Sequence, residues 1–124
     1  MRRLALIGSV GIAILVAAAA CGPGTEKGPI VKNGDAARGK QLIGHYGCGS
    51  CHTIGGVSNA NANVGPDLRD FANGHLIAGK LANTPANLIH WLMDPQQVVP
   101  GNDMPDMGIG TRDARDIAAF LYSQ

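Results

Sequence analysis

The chain has 124 residues, five aromatics, 18 glycines and a formal net charge of +1, enough length for one domain and a short extra segment. From Cys21 onward eight basic residues face nine acidic ones, a balance of −1 that excludes the clustered basic face needed to bind nucleic acid. So few aromatics make a poor self-sufficient core and leave room within it for a large apolar group.

Arg2 and Arg3 precede an uncharged run, residues 4–20, that ends Ala18-Ala19-Ala20-Cys21. A positive start, an apolar middle and small residues before a cleavage point predict an export signal over 1–20. The apolar run is shorter than the roughly 20 residues that span a bilayer. Small residues directly before a cysteine also resemble a bacterial lipoprotein signal, and that resemblance implies lipidation of Cys21. An uncleaved anchor and plain secretion are the alternatives. All three put the domain outside the cytoplasmic membrane, on its periplasmic or extracytoplasmic face, an oxidising compartment. Residues 22–34, GPGTEKGPIVKNG, read as the rest of a flexible linker over 21–34. As a Gly-rich coil it averages about 20 Å end to end.

A domain is expected over 35–124. Asp35 can cap a first helix running towards Tyr46, with Leu42 and Ile43 on its inner face. Next comes Cys48-Gly49-Ser50-Cys51-His52, the CxxCH signature of c-type haem attachment. Two thiols at this spacing reach the two vinyl groups of the macrocycle and form thioethers, and the adjacent histidine is carried beneath the iron. The predicted cofactor is therefore one covalent haem c. A thioredoxin-like thiol pair belongs in a βαβ pattern, and no convincing strand pair is visible here. A zinc site lacks a second spaced pair of ligands, since His75 and His90 are too far apart.

Val64-Gly65-Pro66-Asp67-Leu68 reads by itself as a turn. Thr84-Pro85 starts a helix over 85–94, and Asp94-Pro95 stops it. Leu88, Trp91 and Leu92 form its apolar face, whereas His90 points away from them. An electron carrier needs a sixth iron ligand, and methionine is the usual partner of histidine. Met93 lies in the helix as core filler. Met104 and Met107 lie in the loop Gly101-Asn102-Asp103-Met104-Pro105-Asp106-Met107. Thr111 can cap a last helix carrying Ala114, Ile117, Ala118 and Leu121 at helical spacing.

The order GCGSCH, VGPDL, GNDMP and a terminal helix is similar to the class I cytochrome c family, over residues 35–124. The resemblance implies an all-α fold of three main helices and long loops around one haem. It implies that Met104, directly before a proline, is the axial ligand with His52, and that Met107 is packing or exposed. It assigns the acceptor of the His52 ring to the carbonyl of Pro66, with Leu68 packing on the ring. It also implies a close crossing of the first and last helices at Gly39, facing Phe120 or Leu121. Trp91 is expected near the haem or, equally, as an ordinary core residue. The run over 83–105 looks like the cytochrome c domain fused to subunit II of some haem-copper oxidases, without the copper-binding segment in these residues.

These features imply an electron carrier, not an enzyme, with His52 and Met104 both bound to iron. Its expected partners are a donor such as a quinol–cytochrome c reductase and a terminal oxidase or reductase as acceptor. A haem sensor needs an open sixth position, and a peroxidase also needs a distal acid–base group. Asp103 and Asp106 are the local carboxylates, and both read as solvated.

Overall fold

The computed structural model describes residues 28–124, so the expected export signal, Cys21 and the linker up to residue 27 lie outside the described residues. Asp35 stands extended and its carboxylate accepts the Arg38 N–H at 3.0 Å, opening helix α1, Ala36–His45. Thr84 opens α2, Pro85–Met93, by accepting the Asn87 N–H, with Pro85 supplying a preset φ in the first turn. Asp94 ends α2 and at once caps a further turn, α3, Pro95–Val98, by accepting the Gln97 N–H. The last helix, α4, is Thr111–Leu121.

Three expectations need correction. First, among the described residues a small sheet is present where no strand pair was expected, and the one-turn α3 joins the three main helices. The sheet is a hairpin of β1, Leu76–Ile77, and β2, Leu81–Ala82, with Leu76 opposite Ala82. Strands of two residues are too short for any alternation of polarity to register. Ala78 and Gly79, at φ 51° and 66°, supply the left-handed pair that such a tight turn requires. Second, the residue before α4 is Gly110, which makes no side-chain cap, and Thr111 is already helical. Third, Gly39 meets the backbone of Asp116 and Ile117, not Phe120 or Leu121. The crossing is held one turn earlier on α4 by bonds between α1 and the acidic residues of that helix.

Those helices form the frame. The largest interface is between α1 and α4, and α2 packs on the same terminal helix. Ile43 from α1, Leu88 from α2 and Ile117 from α4 are fully buried among them. Phe120, Leu121 and Tyr122 continue the core, where Phe71 tilts against Tyr122. Tyr122 donates its hydroxyl hydrogen to Asn83 at 2.7 Å, and burial pushes its phenol up to about 12.

A polar network pins α1 to α4. Arg38 places one guanidinium nitrogen 2.5 Å from Asp116 and another 2.5 Å from Asp113. Tyr46 donates to the second oxygen of Asp113, and the Asp35 N–H donates to Asp116. Burial pushes the Asp116 carboxyl up, but the Asp35 N–H and Arg38 outweigh it and hold it below its ordinary value. Arg38, then Tyr46, do the same for Asp113. Folding therefore favours the ionised carboxylates. Their stabilisation is present above the ordinary carboxylate pKa of about 4 and is lost as pH falls through the lower folded values. Arg38→Leu should lower the unfolding midpoint at pH 7 and flatten its decline below pH ~4, read from thermal unfolding across pH. Parallel acid profiles for the two proteins would refute this.

Within the segment expected as linker, Gly28, Val31 and Gly34 touch the rest of the fold, while residues 29, 30, 32 and 33 are exposed. Val31 is buried, Gly34 lies against Ala119 and the Arg115 carbonyl, and Gly28 lies against Ala72 and Tyr122. Val31 is the apolar anchor of this segment, and Ile30 is left exposed. Among the described residues no helix is long and apolar enough to cross a membrane.

Candidate haem-attachment site

The site is carried by two separate stretches of chain. The first begins where α1 ends. Gly47, at φ 71°, turns the chain into a single helical turn, Cys48–Ser50. The Cys51 N–H and the His52 N–H both donate to the Cys48 carbonyl, at 3.2 and 3.0 Å. Residues three and four apart on a helical turn share one face. The CxxCH spacing therefore delivers both thiols and the imidazole to one side of the chain.

The segment that follows fixes the ring. Gly65 donates its N–H to the Cys51 carbonyl at 2.7 Å, and Leu68 donates to the Thr53 carbonyl at 2.8 Å. Nδ1 of His52 then lies 2.7 Å from the carbonyl oxygen of Pro66. A carbonyl only accepts, so Nδ1 is the donor and Nε2 is the nitrogen left free to face a metal. That is the arrangement a metal-binding histidine needs, with the outer contact fixing its orientation.

Gly65 matters for a steric reason. A Cβ there would meet Nδ1 of His52 at 2.8 Å and Nε2 at 3.0 Å. The ring lies flat against bare backbone. Gly65→Ala should therefore turn the imidazole off Pro66, lower stability by about 1–3 kcal/mol and remove the bonded Nδ1 proton. Proton NMR of His52 reads this directly, and an unchanged ring proton would rule it out.

The second stretch runs from α2 to the loop after α3. Trp91 and Met104 are half-buried and pack on the apolar core, as does Leu68 from the first stretch. Met107 is exposed, and His90 faces solvent, where its Nε2 lies 2.7 Å from the Gln97 side-chain oxygen. His45 and His75 are exposed as well. Met104 has no regular secondary structure around it. Its N–H donates to Oδ1 of Asn102 at 2.8 Å, and its carbonyl accepts from Nε2 of Gln96 at 3.0 Å. Asn102 could have been found from sequence, since an Asn two residues before an N–H commonly makes such a turn. Gln96 carries no local signal of this kind.

The surroundings of Cys48 differ from those of a redox thiol. Burial pushes the Cys48 thiol up, whereas an attacking thiol of a redox pair is held low. The described residues contain no βαβ unit, and no cluster of three or more His, Cys, Asp and Glu side chains able to hold a metal ion. The donor set instead suits a covalently attached macrocycle: two thiols and an imidazole on one face.

Residues 36–124 match the cytochrome c family. The chain belongs to that family. Its stretch of 89 residues, 71% of the chain, is 35% identical to cytochrome c oxidase subunit 2 of Alkalihalophilus pseudofirmus. A second stretch, 61% of the chain, is 37% identical to cytochrome c oxidase subunit 2 of Bacillus sp. strain PS3. The matches cover 25% and 20% of those relatives' own lengths, so this chain resembles one part of each. A cytochrome c domain carries covalent haem c, and Cys48 and Cys51 fit its CxxCH attachment. Electron transfer is the work of this family.

Proposed function

We propose that the chain is a membrane-tethered monohaem cytochrome that passes single electrons along a respiratory-type chain, ending at a terminal oxidase. The observation that carries the reading is the helical turn of Cys48, Cys51 and His52, with the His52 ring locked on the Pro66 carbonyl. Cys48 and Cys51 hold the haem through thioethers. Nε2 of His52 and the sulfur of Met104 would hold its iron, and Leu68 and Trp91 would pack beside it. When bound, haem supplies a one-electron iron couple whose potential follows axial ligands, burial and hydrogen bonds. The chain's own part is to keep both ligands in place, so that no substrate reaches the metal.

The likeness to oxidase subunit 2 supports an oxidase as acceptor, with a quinol–cytochrome c reductase or similar donor upstream. A balance near neutrality gives weak long-range steering, and a lipid on Cys21 would confine the search to the extracytoplasmic membrane surface. Detergent phase partitioning of the exported protein and its Cys21→Ser variant tests the anchor: loss of the detergent-phase fraction in the variant is the expected result.

The ligand reading is tested by visible spectra of the reduced and oxidised protein, then carbon monoxide on the reduced form. Sharp reduced bands, a weak far-red iron–sulfur band when oxidised and no response to carbon monoxide are expected. Rapid carbon monoxide binding would make it a ligand-binding haem protein instead. Absence of haem bands after expression with the attachment machinery would return Cys48 and Cys51 to thiol chemistry.

A further inference from the structure

Met104 sits in a loop with no helix or strand to fix its backbone, yet both of its backbone polar groups are held by side chains. Gln96, on the one-turn helix α3, makes three of the bonds that close this loop. Its Nε2 donates to the carbonyls of Asn102 and Met104, both at 3.0 Å, and its Oε1 accepts the Gly101 N–H at 3.0 Å. Asn102 completes the ring. Its Nδ2 donates to the Pro95 carbonyl at 2.9 Å and the Val99 carbonyl at 2.7 Å, while its Oδ1 takes the Met104 N–H. Pro95, which starts α3, is fully buried, so the clamp is anchored in the core. Pro105 adds a restriction of its own by disfavouring helical backbone at Met104.

From this geometry we infer that Gln96 is a positioning residue that keeps the Met104 sulfur on the iron. The inference rests on the reading of Met104 as the second axial ligand. A side chain that grips the main chain on both sides of the ligand loop sets how often the loop opens. It need not touch the metal to do so. Gln97, one residue along the same helix, is exposed; among the described residues its side chain hydrogen-bonds His90, and it makes no hydrogen bond to the loop. The two neighbouring glutamines thus form a matched pair with opposite expectations.

The experiment uses the full-length holoprotein and four variants: Gln96→Leu, Gln96→Glu, Gln97→Leu and Met104→Ala. It measures carbon monoxide binding to the reduced protein, the far-red band of the oxidised protein and the thermal midpoint. Losing the three bonds at Asn102, Met104 and Gly101 in Gln96→Leu should raise the carbon monoxide rate about tenfold, the equivalent of ~1.4 kcal/mol taken from the closed loop. The far-red band should weaken in parallel, while Gln97→Leu behaves as the parent. Gln96→Glu keeps the length and the acceptor for Gly101 but loses the donors to Asn102 and Met104, so it should reproduce most of the effect. It also decides the matter if Gln96→Leu does not fold. Parent-like carbon monoxide rates and far-red bands in the folded Gln96 variants would overturn the inference, as would an equal change in Gln97→Leu. A parent protein that binds carbon monoxide as fast as Met104→Ala would instead overturn the ligand reading, and the inference with it.

Discussion

Met104→Ala should leave the haem covalently attached but open its iron to carbon monoxide and lower its reduction potential. Attachment depends on Cys48 and Cys51, which sit on a separate turn of the chain bonded within itself and to Gly65. The variant keeps its loop, because Gln96 and Asn102 hold the main chain at position 104 and not the side chain. What disappears is the side chain beyond Cβ, the sulfur with it. Methionine ligation raises the potential of a histidine-bound haem, and axial ligands move such potentials over about 0.8 V in all. A fall on the order of 100 mV is therefore expected, with loss of the far-red band. Met107→Ala is the matched control, since Met107 is exposed and outside the clamp. If Met107→Ala lost the band and Met104→Ala kept it, the assignment of the ligand would be reversed.

Gly39→Ala should destabilise the fold by about 3 kcal/mol, opposite in sign to what the same change does in an open helix. In an exposed helix interior, replacing glycine by alanine gains up to about 1 kcal/mol of propensity. At Gly39 the new methyl would strike the carbonyl of Asp116 and crowd the Ile117 nitrogen, both of them backbone of α4. Backbone does not yield as a side-chain tip does. The two helices must separate, loosening Ile43 and Ile117 and stretching the bonds from Arg38 and Asp35 to Asp116. For a domain of this size the loss corresponds to a midpoint roughly 12–20 °C lower. At Gly44, five residues on in α1, an added methyl would find nothing within 4 Å. Gly44→Ala should accordingly stabilise by about 0.5–1 kcal/mol. Equal effects at the two glycines, in thermal or denaturant unfolding, would show that helix contact does not govern Gly39.

The parts of this protein readable from the sequence are those whose cause is local. Cys48, Cys51 and His52 lie within five residues, and their spacing alone puts them on one face of a helical turn. Asp35 and Thr84-Pro85 announce α1 and α2 because capping is settled by a hydrogen bond across three residues. The family itself is apparent from the order of such short motifs. What the tertiary structure decided are contacts between residues far apart in the chain. Gly39 is legible as the crossing point, but its partner on α4 lies one turn from the expected one, since the register follows Arg38 reaching Asp113 and Asp116 some 75 residues away. Residues 28–34 have a linker's composition, and only the tertiary structure sets Gly28 against Ala72 and Tyr122 and Gly34 against Ala119. Gln96 is one polar residue among many until the loop folds back over it. A sequence records which groups a residue can offer; which of them are met is settled when the chain closes on itself.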